Sequence, residues 1–271
     1  MNPIAVRLAA FTVVLAGTFG SAYAVGEKLP GHNHDAGAVA TEDAAHGHES
    51  SVPDAPVPAA GAPSDSGYRL VAEVSTDPGA LAYHLVDGNG ARVTEFTESH
   101  GAQLHTVLVR PDLSDFRHIH PSIGSDGSWS VRITAPGPWH LVFDAVPAGS
   151  GAGVVLTADF DDGTPFTNQA LPVAVNPVAT PELTVTLDRT ATALSFSVTP
   201  SDGLEPYLGQ PAHLIALRQG DLAFQHLHPS GSITGTFMFE GSLMGAGTYR
   251  LFLQFGHDGS VLTVPFTVVQ P

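Results

Sequence analysis

Short apolar runs alternate with turn residues over most of the chain. From about residue 67 onward, runs such as YRLVAEV (68–74) and ALAYHLVD (80–87) are separated by Gly, Pro, Asp and Ser. Beyond the N-terminus, no window has the 3.6-residue apolar period of an amphipathic helix. Strands of this length and spacing predict an all-β fold built from antiparallel β-sandwiches of immunoglobulin-like size.

The strand-rich part contains two copies of one unit. HTVLVRPDLSDFRHIHP (105–121) and HLIALRQGDLAFQHLHP (213–229) align without a gap at an offset of 108 residues. Downstream, GPWHLVFD (137–144) parallels GTYRLFLQ (247–254). Self-similarity of this kind indicates tandem structural repeats. We therefore predict two tandem immunoglobulin-like β-sandwich repeats, at residues 67–165 and 181–270.

The first 24 residues have the pattern of an export signal. Leu8 to Ala16 is apolar, Arg7 is the only early charge, and Ala22-Tyr23-Ala24 has the small residues of a cleavage site. Because Ile4 to Val25 nearly reaches the roughly 20 residues of a membrane span, a retained anchor is the alternative. Either interpretation places the rest of the chain outside the cytoplasm, secreted or anchored to the outer face of the cell membrane.

Residues 25–66 are predicted to form a disordered linker rich in His, Pro and Ala. No hydrophobic periodicity is visible there. Imidazole is a common ligand for transition metals, so two H-x-H pairs favour weak metal capture as much as they favour incidental histidines in a solvated spacer. The pairs are His32/His34 and His46/His48.

The repeated motif predicts a β-hairpin with three histidines on one face. Pairing Arg110 with Asp115 sets His118 opposite Val107, and alternation of side chains then brings the motif histidines to the same face. In the second copy the opposite face carries Arg218 and Gln225, so we expect the histidine face to point toward the core. Imidazoles at these positions can converge on one metal ion at about 2.0–2.1 Å per nitrogen.

Three histidines per repeat are therefore the candidate metal ligands. Ligation by histidine alone suits Cu(II), Zn or Ni, and it leaves a coordination position open for water or another ligand. The alternative is structural: histidines near a strand end can hydrogen-bond backbone carbonyls, with the following proline ending the strand. The candidates are His105, His118 and His120 in the first copy, and His213, His226 and His228 in the second.

Composition narrows the possible chemistry. The 271 residues include 10 Lys plus Arg against 26 Asp plus Glu, for a net charge of -16, which argues against nucleic acid as a partner. The chain has no cysteine, so disulfides, thiolate metal sites and cysteine nucleophiles are excluded. Histidine, with 14 residues, is then the abundant side chain that could bind a transition metal. The sequence also lacks the common hydrolase, phosphate-binding and dinucleotide-binding motifs, so we do not expect an enzyme.

The four histidines outside the linker and the hairpins are expected to be solvated. His140 stands where the second copy has Arg250, which indicates a surface position, and His257 lies in a Gly-His-Asp-Gly turn. His84 and His100 have no histidine at the corresponding position of the other copy.

The motif resembles that of a family of secreted or membrane-anchored proteins of GC-rich Gram-positive bacteria. These proteins repeat an H-L-x-x-x-R-x-x-D-L-x-x-F-x-H-x-H-P pattern and are often labelled heavy-metal-associated. EPYLGQPAHLIALRQGDLAFQHLHP (205–229) and GTYRLFLQFGHDGSVLTVPFTV (247–268) carry the resemblance, which extends over about residues 67–270. It implies an extracytoplasmic tandem β-sandwich and points to the six motif histidines. At the level of the fold alone, the chain is also similar to FixH-like and YtkA-like sandwiches.

Together these features lead us to expect an exported, non-catalytic metal-binding protein for copper or zinc homeostasis or delivery, with one site in each repeat. The alternative is a cell-surface structural or protein-interaction module whose histidines only donate and accept hydrogen bonds. The expected partners are a metal ion and, through the N-terminal segment, the membrane; the sequence identifies no protein partner.

Overall fold

The described part of the chain is built from β-strands. The structure, a computed structural model, describes residues 67–75, 77, 79–231 and 233–271. Among them there is no helix long and apolar enough to cross a membrane. The predicted signal peptide or anchor (1–24) and the predicted linker (25–66) lie outside the described residues.

The first repeat contributes eight strands: β1 (Arg69–Glu73), β2 (Ala80–Val86), β3 (Phe96–Thr97), β4 (Leu104–Val109), β5 (Phe116–Ile119), β6 (Ser128–Arg132), β7 (Trp139–Pro147) and β8 (Val154–Phe160). They form two antiparallel sheets. Sheet A1 has the order β1-β2-β6. Sheet B1 has the order β8-β7-β4-β5, and β3 pairs with the end of β7.

The second repeat contributes nine strands: β9 (Val178–Ala179), β10 (Thr184–Arg189), β11 (Ala193–Thr199), β12 (Leu204–Glu205), β13 (His213–Arg218), β14 (Phe224–Leu227), β15 (Thr236–Glu240), β16 (Gly247–His257) and β17 (Ser260–Gln270). Sheet A2 has the order β15-β11-β10-β9. Sheet B2 has the order β17-β16-β13-β14, and β12 pairs with the end of β16.

Each repeat is a β-sandwich because its A and B sheets bury one apolar face against each other. In the first repeat Trp129 of sheet A1 contacts Phe143 of sheet B1, with ring centroids 5.7 Å apart. In the second repeat Phe196 of sheet A2 contacts Phe266 of sheet B2 at 5.3 Å. The predicted all-β fold with two tandem sandwiches is confirmed.

Sheets B1 and B2 each have a second face, which points away from sheets A1 and A2. These second faces pack on each other. Phe116 of sheet B1 stacks on Phe252 of sheet B2, with centroids 3.9 Å apart and planes 7° from parallel. A third hydrophobic cluster therefore joins the repeats, in addition to the two sandwich cores. Its buried members are Val107, Val109, Leu113, Val142, Ile215, Leu217, Phe224 and Phe252.

Burial of both faces explains the sequence of strand β4. Leu104 and Leu108 belong to the sandwich core of the first repeat, while Val107 and Val109 belong to the cluster between the repeats. Strands covered on both faces have near-continuous apolar sequences in place of alternation. The histidine face of each hairpin thus points to a core, as expected, but the core is the one between the repeats.

Truncation of Phe252 tests the interface between the repeats. Replacing this buried ring with Ala removes the stack with Phe116, and we expect the free energy of unfolding to fall by about 3–5 kcal/mol. Urea denaturation measures the change. Val269→Ala, at an exposed position of strand β17, is the control and should change stability by less than about 0.5 kcal/mol. A loss below about 1 kcal/mol for Phe252→Ala would contradict this packing.

Candidate metal centre

The two hairpins have the register that the sequence predicts. Val107 pairs with His118 in the first repeat, and Ile215 pairs with His226 in the second. The backbone N–H of Arg110 donates to the carbonyl of Asp115 at 3.0 Å, which closes the first hairpin. Equal registers in the two copies give equivalent positions to the motif histidines.

The motif histidines form two groups of three. Within each group, one nitrogen of every ring lies within 4.8 Å of a nitrogen of the other two rings. Triad 1 is His105, His118 and His120, and triad 2 is His213, His226 and His228.

The nitrogens of triad 1 have the spacing of ligands around one ion. The distance from His105 Nδ1 to His118 Nε2 is 3.2 Å, and the distance from His118 Nε2 to His120 Nε2 is also 3.2 Å. Three nitrogens that bind one tetrahedral ion at about 2.0–2.1 Å are about 3.3 Å apart. The three rings are thus already positioned for a shared ion.

Triad 2 repeats this arrangement. His213 Nδ1 lies 3.2 Å from His226 Nε2 and 3.0 Å from His228 Nε2. Both triads therefore use the Nδ1 atom of the first histidine and the Nε2 atoms of the two later ones.

The hydrogen bonds around triad 1 determine where its protons lie. His105 Nε2 is 2.9 Å from the carbonyl oxygen of Ser99, so it carries the N–H and donates it. His118 Nδ1 donates to Gln254 Oε1 at 2.8 Å, and the amide nitrogen of Gln254 donates in turn to Thr263 Oγ1. With both N–H groups on the outer side, His105 Nδ1 and His118 Nε2 present lone pairs to each other.

Triad 2 has equivalent outer partners. His213 Nε2 donates to the carbonyl of Tyr207 at 2.9 Å, and His226 Nδ1 donates to Asp144 Oδ2 at 3.0 Å. The lone pairs of His213 Nδ1 and His226 Nε2 then face each other in the same way. Histidines that ligate metals commonly donate their other N–H to a carbonyl or a carboxylate, which is the pattern around both triads.

Two lone pairs that face each other at this distance repel, and a cation between them turns the repulsion into attraction. A proton would satisfy them, but burial disfavours the charged imidazole. Burial is the main cause that lowers the pKa of His118 and of His226 well below the usual value. It also lowers the pKa of His120 and of His213 to about 4. At neutral pH the inner nitrogens are therefore suited to a metal ion.

Each triad is oriented by the other repeat. Asp144 pairs with His105 across strands β4 and β7, and Gln254 pairs with His213 across strands β13 and β16, so the two residues occupy equivalent positions. Asp144 nevertheless bonds to His226, and Gln254 bonds to His118. Burial is the main cause that raises the pKa of Asp144. A cation in triad 2 would compensate this partly buried carboxylate through His226.

His100 is a member of the cluster that sequence reasoning missed. The residue is exposed, as expected, but its ring stacks on His228 with centroids 3.5 Å apart and planes 10° from parallel. It lies in a turn whose ends, Ser99 and Ala102, exchange backbone hydrogen bonds. The corresponding turn of the second repeat has Leu208 at this position. Extending the 108-residue offset upstream from the hairpins would have revealed the two turns.

The two turns approach each other closely. Gly101 has a φ of +80°, and a Cβ built there would lie 2.4 Å from the carbonyl oxygen of Leu208. Because Ser99 and Tyr207 supply the carbonyls that orient the first histidine of each triad, this contact holds both sets of acceptors in place.

The other histidines lie outside the triads. The expectation that His140 is solvated is wrong: it is only 6% exposed, and its Nδ1 lies 2.6 Å from Asp159 Oδ1. The reason is that His140 shares a face of strand β7 with Val142, which the second repeat covers. His257 is also buried, and His84 Nδ1 lies 2.8 Å from Glu73.

A shallow opening leads to triad 2. The cavity has a volume of about 270 Å³ and is lined by His226, His228, His100 and Glu240, among others. An ion can therefore reach triad 2 from solvent.

Alanine at Gly101 tests the contact between the turns. The left-handed φ should cost about 1 kcal/mol, and the clash with Leu208 should add about 1–3 kcal/mol. Gly209 is the matched control, because its φ is +73° and a Cβ there meets nothing within 4 Å. We expect Gly209→Ala to lose only the smaller amount in urea denaturation. Equal losses for the two variants would show that the turns are not in contact.

Acid should destabilise the metal-free protein. The pKa values of His120 and His213 fall from 6.5 in the unfolded chain to about 4 in the folded one, so the unfolded state takes up protons first as the pH drops. The contribution of these histidines to stability should be complete above about pH 6.5 and decline toward about pH 4. The raised pKa of Asp144 acts in the opposite direction, because protonation of this carboxyl favours the folded state. Thermal denaturation in a chelator measures this slope. His213→Gln should reduce it, and a midpoint that stays constant over this range would contradict the burial of the triads.

Comparison with known proteins adds little about function. A family model described as a domain of unknown function (DUF8832) matches residues 171–270. No curated protein matches the chain. Among solved structures, a two-domain fibronectin type III segment of chicken tenascin is 13% identical, with a TM-score of 0.23, and the alignment covers 74% of this chain and 97% of that one.

Two further structures are similarly distant. The FN1–FN3 domains of chicken CNTN1 are 12% identical with a TM-score of 0.22, over 79% of this chain and 68% of that one. A DUF3823 family protein from Bacteroides uniformis is 12% identical with a TM-score of 0.20, over 69% of this chain and 96% of that one.

Proposed function

We propose that this protein binds Cu(II) or Zn(II) through its two histidine triads and serves in the homeostasis or delivery of the metal outside the cytoplasm. The observation that carries the proposal is the spacing of the inner nitrogens: His105 Nδ1 lies 3.2 Å from His118 Nε2, and His213 Nδ1 lies 3.2 Å from His226 Nε2. The outer nitrogens of these rings already face hydrogen-bond partners, among them the carbonyls of Ser99 and Tyr207 and the carboxylate of Asp144.

A purely structural histidine cluster would be arranged differently. Two neutral imidazoles gain from a contact when the N–H of one points at the lone pair of the other. Turning either ring of triad 1 to do so would break its bond to Ser99 or Gln254 and leave a buried carbonyl without a donor. The existing bonds therefore favour a metal ion between the rings over a direct hydrogen bond.

The ligand set favours Cu(II) or Zn(II). Neutral imidazole suits both ions, and three nitrogens leave a further position for water or for a ligand from a partner. Imidazole ligation is favoured over the thioether ligation typical of Cu(I), because Met238 and Met244 are exposed whereas His118 and His213 are buried.

Binding rather than catalysis fits the surroundings of triad 2. The carboxylate of Asp144 accepts a hydrogen bond from His226 of this triad. It therefore orients a metal-binding histidine and does not act as a general base. The cavity beside His226 and His228 gives an ion a route in and out, which a delivery protein requires. The apolar N-terminal sequence and its small-residue cleavage pattern support export.

Calorimetric titration with Cu(II) and with Zn(II) tests the proposal. The full chain is used with His32, His34, His46 and His48 replaced by Ala, so that only histidines among the described residues contribute. We expect saturable binding, and we expect the combination of His118→Gln and His226→Gln to abolish it, because each substitution removes an inner nitrogen from one triad.

The control is His84→Gln, which removes a histidine bonded to Glu73 and away from the triads. It should leave the titration unchanged, and circular dichroism verifies that every variant is folded. No saturable heat in the parent chain, or unchanged binding after the paired substitution, would favour the structural interpretation of the histidines.

A further inference from the structure

The two triads are as close to each other as the rings within each triad. His226 of triad 2 lies 4.9 Å from His105 and 5.3 Å from His118, measured between ring centroids. Within triad 1, the corresponding distance between His105 and His118 is 5.4 Å. The six imidazoles therefore form one cluster at the interface between the repeats.

Two ions in such a cluster would be close neighbours. An ion bound to imidazole lies about 3 Å from the ring centroid, since the metal–nitrogen bond is about 2.0–2.1 Å long. With the centroids of His105 and His226 4.9 Å apart, the two ions can be separated by at most about 11 Å. Charges at that distance in a buried cluster repel each other strongly, so occupancy of one triad must affect the other.

The hydrogen bonds from His226 to Asp144 and from His118 to Gln254 each cross from one repeat to the other, and these crossed hydrogen bonds make the two triads unequal. Triad 2 is oriented by the carboxylate of Asp144, and triad 1 by the neutral amide of Gln254. A carboxylate on the outer nitrogen increases the basicity of a ligating histidine, and its negative charge offsets that of the ion. Both effects favour triad 2.

We propose that the two triads form a single two-ion centre shared between the repeats, in which triad 2 binds the first ion and triad 1 binds the second more weakly. This inference rests on the proposed function and deepens it. Each ion takes its three ligands from one repeat, and the other repeat orients one of them. Metal binding consequently joins the repeats, since separating them would remove Asp144 from His226 and Gln254 from His118.

Electron paramagnetic resonance during a Cu(II) titration tests the two-ion centre. The full chain with the four linker histidines replaced by Ala is again used. At one equivalent we expect the spectrum of an isolated Cu(II) ion with nitrogen ligands. At two equivalents we expect broadening and loss of resolved hyperfine lines, because two spins within about 11 Å couple through their dipoles.

The outcomes separate this inference from the proposed function. If two ions bind but their spectra add without broadening, the shared centre is overturned while metal binding stands. The same holds if the protein binds only one ion and loses it when either triad is substituted. Failure to bind Cu(II) would also overturn it, and combined with failure to bind Zn(II) in calorimetry it would remove the proposed function as well.

Asp144→Asn tests the order of filling. It keeps the shape of the side chain and removes the charge, so the affinity for the first ion should fall about 10–100-fold. Asp159→Asn is the matched control, because Asp159 bonds to His140 on the neighbouring strand and should alter neither affinity. Gln254→Glu, the reciprocal variant, should raise the affinity for the second ion. If Asp144→Asn lowered thermal stability but left both affinities unchanged, triad 2 would not be the first site.

Discussion

Burial of both faces of sheets B1 and B2 is the constraint on which the rest of the structure depends. One face of each sheet completes a sandwich, and the other face packs against the opposite repeat through residues such as Val107, Ile215 and Phe252. The histidines continue the second face beyond its apolar part. They are desolvated because the repeats meet, and the lowered pKa of His118 and of His226 follows mainly from that burial.

Much of this structure could be predicted from the sequence. Short apolar runs between turn residues predict the all-β fold, and side-chain alternation within the repeated motif predicts the hairpin register and the grouping of the histidines. These features depend on local geometry that sequence spacing determines directly. The N-terminal segment and the linker, which lie outside the described residues, stay predictions.

The parts that could not be predicted depend on contacts between distant residues. An apolar run such as that of β4 shows that both faces are buried, but it does not say that the second cover is the other repeat. The bond from His118 to Gln254 spans 136 residues, and the bond from His226 to Asp144 spans 82. His100 joins the cluster because of a left-handed turn, and His140 is buried by the same interface that buries the triads.

Each repeat supplies one residue that orients a histidine of the other repeat, and this exchange has a consequence for how such a chain can evolve. Position 144 supports the second hairpin as position 254 supports the first, which is the contact pattern of a two-fold symmetric dimer. In a dimer of identical one-repeat chains, both positions would necessarily hold the same residue. Fusion of the two copies into one polypeptide removes that symmetry requirement, and the pair Asp144 and Gln254 is a difference that a dimer of identical chains cannot encode.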